Sequence, residues 1–128
     1  MTRQLAEARG RRAETIAAWW LRLRGWRILA RRARVPGGEV DLFARRGRIL
    51  AFLEVKQRGT AEAAAWALDE YRLRRVAVAA ERLAPRYARL GDDIRIDALF
   101  LVPGRLPRHL GQRLARVTSI AASNRRRG

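Results

Sequence analysis

Two carboxylates and one ammonium sit in stretches that should otherwise be buried strand. Asp41 interrupts Gly38-Glu39-Val40-Asp41-Leu42-Phe43-Ala44, while Glu54 and Lys56 close Ile49-Leu50-Ala51-Phe52-Leu53-Glu54-Val55-Lys56. The basic link Arg45-Arg46-Gly47-Arg48 separates the two runs. Alternation and β-branched content read both runs as strands of one hairpin. A two-residue loop at Gly47-Arg48 puts glycine first, as a type II′ turn prefers. That register predicts Asp41 opposite Glu54, with Cβ atoms roughly 5 Å apart. Lys56 then follows on the Glu54 face, roughly 6.5 Å further along the strand.

Neighbouring carboxylates shielded from water repel one another unless a cation lies between them. Mg²⁺, or Mn²⁺ in its place, suits Asp41 and Glu54: it takes oxygen ligands, keeps waters, and is commonly shared with a substrate phosphate. Such an ion stabilises charge on a phosphodiester and lowers the pKa of bound water. Lys56 cannot ligate while protonated, but it can orient the attacking water or contact the phosphate. The same residues have a blander use, because Asp near a strand end often serves a turn and Glu-x-Lys is often a solvated ion pair worth little. Two features favour chemistry. Leu50–Leu53 reads as a central strand rather than an exposed edge. Lys56 is also the single lysine beside 28 arginines, and the two residue types are not interchangeable as compact donors.

The elements that must hold these residues are legible around them. Arg3–Arg24 reads as an amphipathic helix with the stripe Ala13, Ile16, Ala17, Trp20 and Leu21, ended by Gly25. Glu14 borders that stripe; by position alone it makes local ion pairs. Trp26–Ala30 is a first strand, Arg31–Arg34 a basic stretch, and Val35-Pro36-Gly37-Gly38 a turn. Gly37 and Gly38 would admit a phosphate close to the backbone, although paired glycines are also ordinary loop material. Thr60–Trp66 is Ala-rich, helix or loop. A second helix starts near the N-cap Asp69 and stops about Leu83, before Pro85. Gly91-Asp92-Asp93 is a turn, and Ile94–Val102 a further interior strand. Asp97 within it reads as structural, paired with Arg95 or a sheet neighbour. His109, the sole histidine, reads as a packing or capping residue. Gln112–Ala122 is expected as a short final helix.

Here a resemblance enters. Gly38-Glu39-Val40-Asp41-Leu42 with Phe52-Leu53-Glu54-Val55-Lys56-Gln57-Arg58 resembles the YraN family of small bacterial proteins. Gly10–Glu14, Trp20-Leu21, Gly25–Arg31 and Arg95–Ala98 extend the likeness over most of the chain, about Gly10 to Leu110. That family is similar to restriction-endonuclease-like nucleases, archaeal Holliday-junction resolvases among them. The resemblance implies a three-layer α/β fold, a mixed sheet flanked by helices in the order α-β-β-β-α-β. It also implies the site set Glu14, Asp41, Glu54 and Lys56. Many members carry Asn in the segment before the Gly37 turn, where this chain has Arg and Ala. Relatives often place Lys or Gln near Arg72.

Composition sets the outer bounds. The 128 residues, 48% of them apolar, suffice for one core, expected over residues 1–122 with a disordered basic tail at 123–128. Without cysteine, disulfides and thiolate metal sites are excluded. The lack of a spanning or leader-like apolar run gives a cytoplasmic expectation with no membrane partner. A net charge of +17 attracts polyanions, nucleic acid foremost. Arg11, Arg31, Arg58, Arg72 and Arg75 are expected to grip its backbone. The favoured reading is a Mg²⁺- or Mn²⁺-dependent endonuclease acting on DNA, with branched DNA as a natural substrate to try. The likeness to resolvase-like enzymes, many of which need two active sites for two strands, implies a homodimer, although no stretch of the sequence announces its interface. The alternatives are a non-catalytic nucleic-acid-binding module that kept the fold, and an interaction protein that docks a basic face on an acidic partner.

Overall fold

In the computed structural model the described residues are 3–57 and 70–118, with side chains for 10–57 and 71–118. The hairpin forms as its sequence directs. β2 (Gly38–Arg46) and β3 (Ile49–Gln57) pair antiparallel from Arg46↔Ile49 to Leu42↔Leu53. The backbone φ is +59° at Gly47 and is not positive at Arg48, as a type II′ turn requires. β1 (Arg27–Val35) pairs antiparallel with β2. β4 (Asp93–Leu101) lies parallel to β3, in register from Ile49↔Asp93 to Gln57↔Leu101, and β5 (Arg108–Arg116) closes the other edge antiparallel to β4. The sheet order is β1-β2-β3-β4-β5. Helix α1 (Arg3–Leu23) covers one face, and helix α2 (Glu70–Tyr87), on the chain between β3 and β4, covers the other. This is the expected three-layer α/β arrangement around a mixed sheet.

Alternation divides the core between the two faces. Ala51 and Leu53 of β3 pack with Ala17, Ala18 and Leu21 of α1. Leu50 and Phe52 pack with Val76, Ala79 and Ala80 of α2. One helix end is built by local chemistry. Gly25 takes φ +89°, its N–H donates to Arg22 O and Trp26 N–H donates to Leu21 O, the bond pair of a Schellman cap. Gly38 has a different use from the one its sequence suggests: a Cβ there would lie 2.6 Å from Arg75 O and 2.8 Å from Ala79 N. This glycine therefore lets α2 dock directly on the β2 backbone.

Three expectations are corrected. The first strand runs on through the basic stretch to Val35, because Arg31 and Arg34 can pair at the sheet edge with their heads in water. Pro85 lies inside α2, whose last turn continues to Tyr87. The segment from Gln112 to Arg116 is strand β5 and not helix, since Arg95↔Arg113 and Ile96↔Gln112 supply ladder partners that no local signal announces. Val117 and Thr118 are not helical either, and the expected helix beyond 118, the tail at 123–128, the Thr60–Trp66 segment and Asp69 lie outside the described residues.

Candidate functional site

The β2–β3 ladder stops one step before the acids, and they meet where the strands part. Leu42 packs in the α1-side core while Val40 packs in the α2-side core, so β2 turns over at Asp41. Beyond the last ladder pair, Asp41 Oδ2 accepts the N–H of Val55 at 2.7 Å. A side-chain oxygen thus holds the two strands where a backbone carbonyl would have done. The acids converge at this fork rather than across a regular strand pair. Glu54 follows Leu50 and Phe52 on the α2 face and is buried. Its Oε1 lies 3.5 Å from Lys56 Nζ, which is buried as well. The same oxygen accepts a hydrogen bond from Arg72 Nη1 of α2.

β1 mirrors the disturbance. Arg31 pairs with Leu42 and Ala33 with Val40, which puts Arg32 across from Asp41, and Arg32 has φ +52°. A left-handed backbone costs a non-glycine residue about 1–2 kcal/mol, and Asn tolerates it better than Arg. The guanidinium of Arg32 leaves the strand towards α1 and donates from Nε to Glu14 Oε1 at 2.6 Å. Glu14 is itself buried on the sheet side of α1. Glu14, Asp41 and Glu54 therefore approach one another from α1, β2 and β3.

The electrostatic consequence falls on Asp41. Burial first, then repulsion from Glu54, push its carboxyl up to about 7 from an ordinary 3.8; the Val55 N–H pulls the other way and Glu14 adds to the rise. Burial also opposes the charge on Arg72, but its hydrogen bond and attraction to Glu54, with help from Asp41 and Glu39, leave the guanidinium above its ordinary value. Crowded acids have thus been neutralised by whatever cations and protons are at hand.

The remaining predicted residues are spread more widely. Arg75 is half-buried, 3.9 Å from Glu39 and over the Tyr71 ring, beside the site but not in it. Arg31 donates to Thr15 Oγ1 at 2.8 Å on the outer α1–β1 side, and Arg11 is exposed on α1 one turn before Thr15. Arg58 lies outside the described residues. Asp97 is structural as expected: buried, it binds Arg95 Nη2 at 2.7 Å and meets His109 Nε2 at 2.5 Å. His109 in turn packs against Trp26. Sequence reasoning missed Arg32 as the partner of Glu14. One arginine among the three of Arg31–Arg34 gives no signal of left-handed backbone.

A family model described as "Uncharacterised protein family UPF0102" matches residues 13–101. The chain belongs to that family. UPF0102 is the YraN family whose motifs the hairpin carries. The matched span holds Glu14, Asp41, Glu54, Lys56 and Arg72, and it ends with β4, short of edge strand β5. Among similar chains, the UPF0102 protein of Sphingopyxis alaskensis is 69% identical over 110 residues, covering 86% of this chain and 95% of the relative. That of Rhizorhabdus wittichii is 59% identical over 108 residues, with 84% and 92% covered. That of Caulobacter vibrioides is 50% identical over 102 residues, with 79% and 82% covered. None of these names carries an activity.

Proposed function

We propose that this UPF0102 protein is a Mg²⁺- or Mn²⁺-dependent endonuclease that hydrolyses phosphodiester bonds in DNA. The observation that supports it most is the meeting of two carboxylates from adjacent strands, half-buried Asp41 and buried Glu54, with buried Lys56 beside them. The donor set fits a hard divalent ion. Both donors are carboxylates, their repulsion calls for a cation, and an octahedral ion would complete its shell with water and phosphate oxygens. Among the described residues no group of three His, Cys, Asp or Glu side chains is arranged to hold a metal, so the ion would lean on those outer ligands. Bound there, it would supply Lewis-acid stabilisation of the phosphodiester and a more acidic water.

The protein's own groups have separable tasks. Asp41 and Glu54 hold the ion. Lys56, shielded from water, directs its ammonium at the attacking water or at a phosphate oxygen. Glu14, fixed by Arg32, adds negative charge behind Asp41 and strengthens the site's demand for a cation. Arg72 and Arg75, on the first turns of α2, offer planar donors to the backbone, while Arg11 and Arg31 extend the basic surface along α1 and β1. The positive field brings in the polyanion without regard to sequence.

The test is cleavage of labelled single-stranded, duplex and four-way-junction DNA in Mg²⁺ or Mn²⁺ by the intact protein, Asp41→Asn and Lys56→Ala. Each variant should lose about 10²–10⁴-fold in rate. Cleavage by the intact protein that both variants match would refute the site. A second reading has its own support: the partners of Glu54 are already cations of this chain, as in a nucleic-acid-binding module that has retired its metal. That module would cut none of the substrates and bind them equally well with or without metal, and Asp41→Asn would bind as well or better. Binding to an acidic protein partner that survives high salt and ignores metal would displace both readings.

A further inference from the structure

We propose that Arg72 is a resident counter-cation, seated on the metal-binding edge of Glu54 and displaced when the divalent ion enters. The inference rests on the metal reading above and concerns how that site is filled. Glu54 cannot stand buried and ionised without compensation. Arg72 Nη1 provides it, on the very oxygen that Lys56 also approaches. The two cations are held differently. Lys56 is buried on β3, two residues from Glu54, and cannot leave without unpacking the sheet. Arg72 reaches in from the first turn of α2, with 53% of its side chain exposed. Only its outer end need move for the guanidinium to return to water. A hard dication and a guanidinium seek the same carboxylate oxygen, so the two exclude each other there.

Two consequences follow by linkage. Removing the guanidinium removes a competitor, so the ion binds more tightly, and the ion in turn replaces the stabilisation that Arg72 gave the metal-free fold. Calorimetric titration of MnCl₂ into the intact protein and Arg72→Ala, with thermal melts in EDTA and in saturating Mn²⁺, reads both. The variant should bind Mn²⁺ about tenfold more tightly. Its melting temperature should fall below that of the intact protein in EDTA and rejoin it in Mn²⁺. Arg72→Gln, which keeps a neutral donor for Glu54, should behave alike and serves if the alanine variant does not fold. Equal or weaker Mn²⁺ affinity in the variants overturns the inference while leaving the metal centre standing, because a merely structural Arg72 lowers both melts and leaves affinity unchanged. If neither the intact protein nor the variants take up Mn²⁺, the metal reading falls and this inference with it.

Discussion

Asp41 is unlike an ordinary surface carboxylate, because burial and the nearby Glu54 favour its protonated form. Its folded value of about 7 stands above the 3.8 of an unfolded chain, so between these values the folded protein keeps a proton that the unfolded chain releases. Stability of the metal-free protein should therefore fall as pH rises from about 4 to about 7 and level off above. Asp41→Asn should abolish that slope and be the more stable protein at pH 8, by roughly 2–4 kcal/mol. Urea midpoints at pH 5, 6, 7 and 8 read this directly; parallel slopes in the two proteins would show that Asp41 ionises freely. Glu14 is held by an ion pair instead. Its partner Arg32 is held in left-handed backbone, and Arg32→Ala would leave a buried carboxylate unpaired. That change should cost about 1–3 kcal/mol, the loss expected when a buried acceptor gives up a charged partner whose own side chain is 42% exposed.

Among the elements, α2 decides how the site is roofed. It reaches Glu54 because Gly38 lets its backbone lie against β2. Gly38→Ala would drive a methyl group into Arg75 O and Ala79 N, so the helix must shift. A loss of about 1–3 kcal/mol is expected, as for other overpacked sites. If the roof matters, the same variant should weaken Mn²⁺-dependent cleavage more than it weakens DNA binding. On the opposite face Gly111 gives the Arg95 guanidinium room beside Asp97: a Cβ there would lie 2.2 Å from Arg95 Nη2 and 2.7 Å from Asp97 Oδ1. The far end of the hairpin is pinned by Arg45, which binds both Asp92 oxygens, at 3.0 and 2.7 Å, and donates to Tyr87 O. Arg45 and the Arg89 N–H together hold the Asp92 carboxyl below its ordinary value, against the burial that pushes it up. The Arg45 clamp thus ties the turn end of the hairpin to the end of α2 and to the segment before β4.

For the whole molecule, charge dominates. With +17 on 128 residues, association with nucleic acid should be fast, sequence-indifferent and steeply salt-dependent. Arg11 and Arg31 lie away from Glu54 and should contribute positioning contacts only. Arg11→Ala with Arg31→Ala should weaken binding to every DNA alike and lower the slope of log K against log salt by about two. An unchanged slope would remove the α1–β1 side from the binding surface. Among the described residues no helix is long and apolar enough to cross a membrane.

Much of this protein is written locally in its chain. The strand pattern of Leu42–Arg46 and Ile49–Leu53, with glycine at position 47 between them, determines the hairpin and its register, because side-chain period and turn conformation are short-range properties. The helical stripe Ala17, Leu21 and the Gly25 stop determine α1 in the same way. Acids within an apolar hairpin mark the candidate site before any fold is known. Other features needed the tertiary structure. The reversal of β2 at Asp41 depends on which core claims Val40 and which claims Leu42, and both are plain valine or leucine in sequence. Strand β5 exists because β4 offers it a ladder, a partnership between distant segments that propensity does not encode. Only three-dimensional packing brought Arg72 onto Glu54, across 18 positions of chain, and chose Arg32 out of a run of arginines to hold Glu14.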